Sequence, residues 1–412
     1  MPQLTTRALE EWCLEALSDS IEDGSDSDTD LSMLTVVVPS LERQPYLMRQ
    51  IRFWASKTAR LVIVDGSGRP LDGRICTAIG EHPRITYVNQ RSSWADRLNL
   101  ASRHIETPYT VMLGDDEFHL PTGLSASLAV LEESSDLVGC MGQVLSASPI
   151  RSSRRISFSR AYPALAGYSV RNTEPEERLV AAMSAYNMAT CYAVLRTQAW
   201  RRSWGAIGNW RIPIAAEIQQ ALAVYLLGGL ATTNQVQWLR SAENPPIVLE
   251  EEGNHRVLFP EWWNSPRDET ERSQFVASVS EAVAGELGIG HDQISVSVST
   301  AIGAFVDSQP SLTNESVTRG SVRSGLLDLA SRTKRTIARL LPTPLLLSAK
   351  RVFGVASRAL GGPGGGYYGT VEDLPKIPSA EGLVFTPGAV DELVAIEAMV
   401  AEFHDLLSRD ED

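Results

Sequence analysis

Between Leu34 and Val144 short β-branched apolar runs alternate with longer segments of helical spacing, and a helix-covered parallel sheet is the fold that uses such an alternation. Leu34–Val38 is the first run, closed by Pro39 and Ser40. Leu61–Val64, Ile85–Val88 and Tyr109–Leu113 follow. Pro45–Ser56 reads as a helix with its proline at an early position, where the missing N–H costs nothing. Trp94–Ile105 reads as a second helix, with Trp94, Ala95, Leu98 and Ala101 on one face. Pro121–Glu133 is a further helix and Asp136–Val144 a further strand. The pattern predicts an α/β fold, a mostly parallel sheet with helices on both faces, that takes its ligand beyond the carboxyl ends of the strands.

Two of those ends are acidic. Leu61–Val64 delivers Asp65 ahead of Gly66-Ser67-Gly68, and Tyr109–Leu113 delivers Asp115-Asp116-Glu117 just past Gly114. Three consecutive carboxylates repel one another and call for a positive charge. A hard divalent cation, Mg²⁺ or Mn²⁺, is held by one or two carboxylates together with substrate phosphates. A solvated turn is the bland reading of such a run. The buried strand before it and Phe118 after it favour the metal. Asp65 reads equally as a nucleoside contact or as part of an Asp-Gly turn. Glu217 is the isolated acid of Pro213–Gln220. It is either an ordinary helix-surface glutamate or a carboxylate that takes a proton from an acceptor hydroxyl. Trp238 and Arg240 close the last core strand, and a guanidinium matches phosphate oxygens well. Arg91, Arg97, Asn99, His255, Trp262 and Trp263 are further aromatic or polar candidates, for which packing or surface exposure is at least as good a reading.

The 412 residues suffice for one large domain or two ordinary ones. Net charge is −13, from 37 basic and 50 acidic residues, which argues against nucleic acid as the main partner. Cys13, Cys76, Cys140 and Cys191 form no C-x-x-C pair, so a zinc knuckle or redox motif is not expected, and a reducing compartment is. The sequence shows no secretory leader and no apolar run of the roughly 20 residues that a bilayer span needs. The expected location is cytoplasmic, with the inner membrane face as a possible peripheral site. Three regions are expected: a short helix and an acidic linker, Asp19–Asp30, within 1–32; the α/β domain, 33–265; and a mainly helical region, 266–412. Within the α/β domain, 145–175 reads as a long surface excursion, Met188–Leu195 and Ala231–Arg240 as strands, and Ile212–Leu227 as a helix. Arg332–Arg358 holds seven cations and no acid. It reads either as a membrane-surface contact or, preferably, as the solvated face of a helical hairpin. Asp391–Leu407 is an amphipathic terminal helix.

In order and spacing, these segments resemble the family 2 glycosyltransferases of the GT-A fold, over roughly residues 33–245. Thr35–Ser40 is similar to that family's first strand, and Leu61–Ser67 to its second strand with the uracil-binding aspartate. Leu113–Glu117 resembles the D-x-D segment, and Ala215–Ile218 ahead of Leu226–Gly229 resembles the helix that supplies the base. The Leu-Gly-Asp-Asp form and Trp238-Leu239-Arg240 look closest to a bacterial glycosyltransferase-domain subgroup. Two departures stand out. Gly114 occupies the place of the first aspartate of D-x-D, and Glu217 lacks the usual adjacent aspartate. The resemblance implies a GT-A, Rossmann-like sheet with a helical C-terminal extension. It implies metal-dependent, inverting transfer of a sugar from a nucleoside diphosphate sugar, most often a UDP-sugar, to a hydroxyl of a glycan, lipid-linked or protein acceptor. By it, Pro39, Asp65, Arg97 and Asp115 fall to the donor nucleotide, Asp116 with Asp115 and Glu117 to Mg²⁺ or Mn²⁺, and Glu217 to the base. Arg240 and Trp238 fall to the diphosphate or the acceptor. A nucleotidyltransferase is the nearest rival, but its Gly-rich loop after the first strand is missing from Pro39–Gln44. A non-catalytic nucleotide-sugar-binding or scaffold protein of the same fold is the other.

Overall fold

The computed structural model describes residues 7–22, 29–150, 154–244, 257–309, 367–377 and 381–408. Helix α1 (Arg7–Glu22) precedes the sheet and buries Leu9, Trp12, Cys13 and Leu17. Then come β1 (Leu34–Ser40), α2 (Gln44–Ala55), β2 (Arg60–Asp65), α3 (Gly73–Glu81), β3 (Ile85–Asn89), α4 (Trp94–Ala101) and β4 (Tyr109–Met112). The four strands are parallel in the order β3-β2-β1-β4. Val36, Val37, Val38, Ile63, Val64 and Val111 are fully buried. This explains why these strands read as continuous apolar runs rather than as alternation.

The rest of the sheet is mixed. It comprises β5 (Phe118–His119), α5 (Pro121–Glu133), β6 (Leu137–Ile150), β7 (Arg155–Ala161), β8 (Ser169–Val170), α6 (Pro175–Ser184), β9 (Val194–Arg196), α7 (Thr197–Arg202), α8 (Pro213–Leu227) and β10 (Gly229–Ser241). Strand β9 lies antiparallel between β4 and β6, β7 pairs antiparallel with β6, and β10 runs parallel to β6 while also pairing with β5 and β8. The architecture is therefore a mixed α/β sheet whose centre is parallel.

Helices α9 (Phe259–Asn264), α10 (Glu269–Leu287) and α11 (His291–Ser308) follow, then β11 (Tyr367–Gly369) against β7, and α12 (Pro387–Ser408). Helix α12 returns to the sheet domain. Its Glu392 accepts hydrogen bonds from Thr122 N and Oγ1 at the start of α5 (2.9 and 2.8 Å), and its Glu397 accepts one from Ile156 N in β7 (2.6 Å). No described helix is long and apolar enough to cross a membrane.

Several expectations change. The 145–175 stretch is not a surface excursion: β6 continues to Ile150 and forms an antiparallel pair with β7. Serines and arginines on these strands mask the buried Ile156 and Phe158. Residues 188–192 form a 3₁₀ turn, because Asn187 Oδ1 accepts a hydrogen bond from Ala189 N (3.1 Å), and the strand is only Val194–Arg196. Helix α4 stops at Ala101 and runs into a 3₁₀ turn at Ser102–His104. Asp19–Glu22 belong to α1 rather than to a linker. Residues 23–28 of the expected linker and the basic 332–358 stretch lie outside the described residues.

Helix α5 crosses β10 at Gly123. A Cβ there would sit 2.6 Å from Gln237 Cα and against the Val236 carbonyl oxygen, both backbone atoms. Gly123→Ala is expected to lower stability by about 1–3 kcal/mol in chemical denaturation, because the helix must lift off the strand. An unchanged midpoint would mean that Gly123 does not set this spacing.

Candidate functional site

The parallel register brings the acidic strand ends together. Ser40 pairs with Asp65 across β1 and β2, and Val37 pairs with Met112 across β1 and β4, so Asp115 falls beside Ser40. Ser40 Oγ donates to Asp115 Oδ2 (2.7 Å), and Arg43 lies 3.3 Å from Asp115 Oδ1. The β1 and β2 end loops are tied to each other. Glu42 N donates to Ser67 Oγ (2.8 Å), Gly68 N to Glu42 Oε1 (2.9 Å) and Gly66 N to Ser40 O (2.8 Å). Glu42 adopts a left-handed backbone, φ 53°, to close this loop. Such conformations in non-glycine residues concentrate at functional sites.

Asp65 is fully buried. Its carboxylate accepts from Tyr87 OH (2.8 Å), Gln44 Nε2 (3.2 Å) and Ser67 N (2.9 Å). Pro39 is buried in β1. Arg97 is buried beneath Gly66, where its guanidinium carbon would lie 3.1 Å from an added Cβ, and it donates to Ser92 O (2.7 Å). Pro39, Asp65 and Arg97 thus build the floor under the strand-end loops.

The acidic turn is nearly closed to solvent, with Asp115, Asp116 and Glu117 all buried. Asp116 Oδ2 accepts from Asn244 Nδ2 (3.1 Å), and Glu117 Oε2 accepts from Trp238 Nε1 (3.0 Å). A Cβ at Gly114 would come within 2.7 Å of Glu117 Oε2. Glu117 therefore fills the space that a side chain at position 114 would need. Burial, and next the Asp116 charge, push Asp115 up to about 6 against the pull of Arg43 and Ser40. The same two causes push Glu117 up to about 8 against Trp238 and Arg240. The three carboxyls of the corner share one ion pair among the described residues, that of Asp115 with Arg43.

A divalent cation suits that deficit and these hard oxygen donors. Among the described residues no three His, Cys, Asp or Glu side chains converge as a ready cage. Asp115 is engaged by Ser40 and Arg43, and Glu117 by Trp238. Asp116 keeps Oδ1 without a hydrogen bond among the described residues. A cation here fits as one held by Asp116 and completed by a ligand's phosphates, the usual arrangement for Mg²⁺.

The opposite wall comes from α8 and β10. Glu217, in the second turn of α8, is partly buried, and its Oε2 is enclosed without a hydrogen-bond partner among the described residues. Burial pushes it up to about 7, and Arg240 pulls it back. Arg240 is exposed and its guanidinium lies 5.6 Å from the Tyr162 ring centre. Its charge acts on both Glu117 and Glu217, so it lies within electrostatic reach of the acidic turn and of α8. Trp238 is almost fully buried, stacked on Tyr192 (3.9 Å) and more loosely on Tyr162 (5.9 Å). It supports Glu117 and the wall rather than facing a ligand. Tyr162, with φ 49°, is a second left-handed non-glycine residue at the site.

Asp65, Asp115–Glu117, Glu217 and Arg240 are thus gathered at the carboxyl edge. Trp262 packs in a separate aromatic cluster with Phe259 and Phe275, and His255 lies outside the described residues. Ser40, Arg43, Arg49, Gln50, Tyr87, Tyr162 and Tyr192 were not picked out by sequence. No local spacing sets Arg49 and Gln50 apart from Gln44 and Arg52, the other polar residues of α2.

No family model and no curated protein matches the chain. Similar solved structures include S. aureus TarS 1–349 in complex with UDP-GlcNAc, at 12% identity and TM-score 0.40, covering 67% of this chain and 81% of that one. TarS 1–349 alone gives 11% and 0.39, with 70% and 91% covered. The mannosyltransferase PcManGT from Pyrobaculum calidifontis, in complex with GDP-Man and Mn²⁺, gives 14% and 0.34, with 81% and 94% covered.

The Glu217 environment sets a pH dependence. Its folded value, about 7, lies above the ordinary 4.5, so the folded protein holds this proton more tightly than the unfolded chain. Stability from this group is therefore lost as pH rises from about 4.5 to about 7. Glu217→Gln is expected to raise the melting temperature over wild type at about pH 8 and to leave it nearly equal at about pH 4. A difference independent of pH would place Glu217 in water.

Proposed function

We propose that this protein is a glycosyltransferase that moves a sugar from a nucleoside diphosphate sugar, a UDP-sugar by first choice, to a hydroxyl acceptor with inversion. The carrying observation is the pairing, at one sheet edge, of a charge-deficient acidic corner with a separate carboxylate whose Oε2 is enclosed and has no hydrogen-bond partner among the described residues. A corner short of positive charge suits a metal–diphosphate. An acid of pKa near 7 across from it suits proton abstraction at neutral pH.

In this reading the nucleoside lies along the ends of β2 and β4. Asp65, fully buried with three donors on its carboxylate, sets the β2 end beneath the nucleoside, and Asp115 is held by Ser40 and Arg43. The diphosphate lies between Asp116 and Arg240, whose exposed guanidinium makes no hydrogen bond among the described residues. Mg²⁺ or Mn²⁺ held by Asp116 would neutralise charge on the leaving group when bound. Glu217 takes the proton from the acceptor hydroxyl, and the oxygen forms its bond to the anomeric carbon. The bond from that carbon to the diphosphate oxygen breaks on the opposite face, its electron pair leaving with the diphosphate. Arg240 then meets the charge that develops there.

Glu217→Gln should lower kcat by about 10²–10⁴-fold, the usual worth of a general base, while the dissociation constant for UDP stays within error. Transfer assayed by UDP release checks this. Unchanged kcat would remove Glu217 from the mechanism, and absence of transfer or donor hydrolysis in wild type across nucleoside diphosphate sugars would favour a binding module.

A further inference from the structure

Helix α2 meets the acidic turn with two adjacent side chains, Arg49 and Gln50, both fully buried. Gln50 Nε2 donates to the carbonyls of Asp115 (3.1 Å) and Glu117 (2.6 Å). One guanidinium nitrogen of Arg49 donates to the carbonyl between them, that of Asp116 (2.8 Å). All three backbone carbonyls of the turn are therefore held from one helix. Gln50 is itself set by Trp54 Nε1, which donates to its Oε1 (3.1 Å).

The other end of Arg49 leads away from the turn. Its second terminal nitrogen reaches both carboxylate oxygens of Glu243 (3.0 and 3.2 Å). Its guanidinium carbon lies 4.8 Å from the ring centre of Tyr46, 5.0 Å from that of Phe118 and 4.7 Å from that of Phe403. Phe403 belongs to α12, as does His404, whose Nε2 lies 2.9 Å from Glu243 Oε2. The residue after Glu243, Asn244, binds Asp116 Oδ2. Two short routes thus join α12 to Asp116. One runs through Phe403 and Arg49 to its carbonyl, the other through His404, Glu243 and Asn244 to its carboxylate.

Packing alone does not call for this arrangement. A buried ion pair often gives way to apolar residues of similar volume without loss of stability. A guanidinium at position 49 supplies what an apolar residue lacks, a directed donor to the Asp116 carbonyl. We infer that Arg49 is a positioning residue for Asp116, and that α12 is a working part of the donor site through Phe403, His404 and Glu243. This rests on the proposed donor site, and it predicts that a change on a helix remote in sequence alters nucleotide affinity.

The full-length protein and its Arg49→Lys, Phe403→Leu and Glu392→Gln variants test it by two readouts. Lysine keeps the charge but loses the fork and the ring stacking. Glu392 fastens α12 to Thr122 at α5 and is the control for helix docking alone. The first readout is amide hydrogen exchange over 113–120 against 61–65 in β2. The second is calorimetric affinity for UDP with Mn²⁺. Arg49→Lys is expected to speed exchange over 113–120 roughly tenfold or more, to leave 61–65 unchanged and to weaken UDP binding by a similar factor. Phe403→Leu should act in the same direction to a smaller extent, and Glu392→Gln should not. Unchanged exchange over 113–120 in Arg49→Lys, or an equal rise over 61–65, would overturn the inference. So would a Glu392→Gln effect as large as that of Phe403→Leu. Localised exchange changes in a protein that binds no UDP would leave Arg49 as the holder of the turn and overturn the donor-site reading instead.

Discussion

Three adjacent carboxylates can occupy a buried corner only if their backbone is fixed and their charge is balanced. In this protein Arg49 and Gln50 provide the first by holding the carbonyls of residues 115–117 from beneath. The second is only partly met. Arg43 and Ser40 serve Asp115, Trp238 serves Glu117 and Asn244 serves Asp116, yet Asp115 and Glu117 remain well above the usual carboxylate range. A corner built rigidly but left short of cations suits a ligand that brings its own metal and phosphates.

The parallel centre of the sheet makes that corner possible. The β1–β2 and β1–β4 registers level Ser40, Asp65 and Asp115, and the reciprocal bonds between the 40–43 and 65–68 loops hold the edge together. The mixed half of the sheet, with β10 parallel to β6, then carries α8 and β10 round to face it, bringing Glu217 and Arg240 opposite the acids. In the proposed reaction the carboxylate pushed up to about 7 by burial acts as base, and the acids of the corner would hold the cation that meets the leaving-group charge. Glu117 lies in the space above Gly114, so the glycine at this place in the Leu-Gly-Asp-Asp run is matched by a carboxylate from further along the turn.

The parallel strands, their helices and the acidic strand ends were legible in sequence because β-branched runs buried on both sides leave a continuous apolar signature. Strand β7 was not, since its serines and arginines hide Ile156 and Phe158, and Asn187 redirected an apolar run into a 3₁₀ turn. Among the site residues, strand-end position identified Asp65 and Asp115–Glu117. Arg49, Gln50 and the α12 residues Phe403 and His404 were hidden for another reason. Their roles arise from contacts across long stretches of chain, which no local spacing records. Trp238 was visible as an aromatic near the edge, but its burial under Tyr192 turns it from a ligand contact into a support for Glu117.

The central claim is that the acidic corner binds a metal–diphosphate, and thermal unfolding with nucleoside diphosphate sugars addresses it most directly. With Mn²⁺ present, a donor at about 100 times its dissociation constant should stabilise the wild-type protein by about 2.7 kcal/mol. That gain should vanish without the metal and in Asp116→Ala. The same stabilisation in Asp116→Ala, or none with any nucleoside diphosphate sugar and Mn²⁺ in wild type, would contradict it.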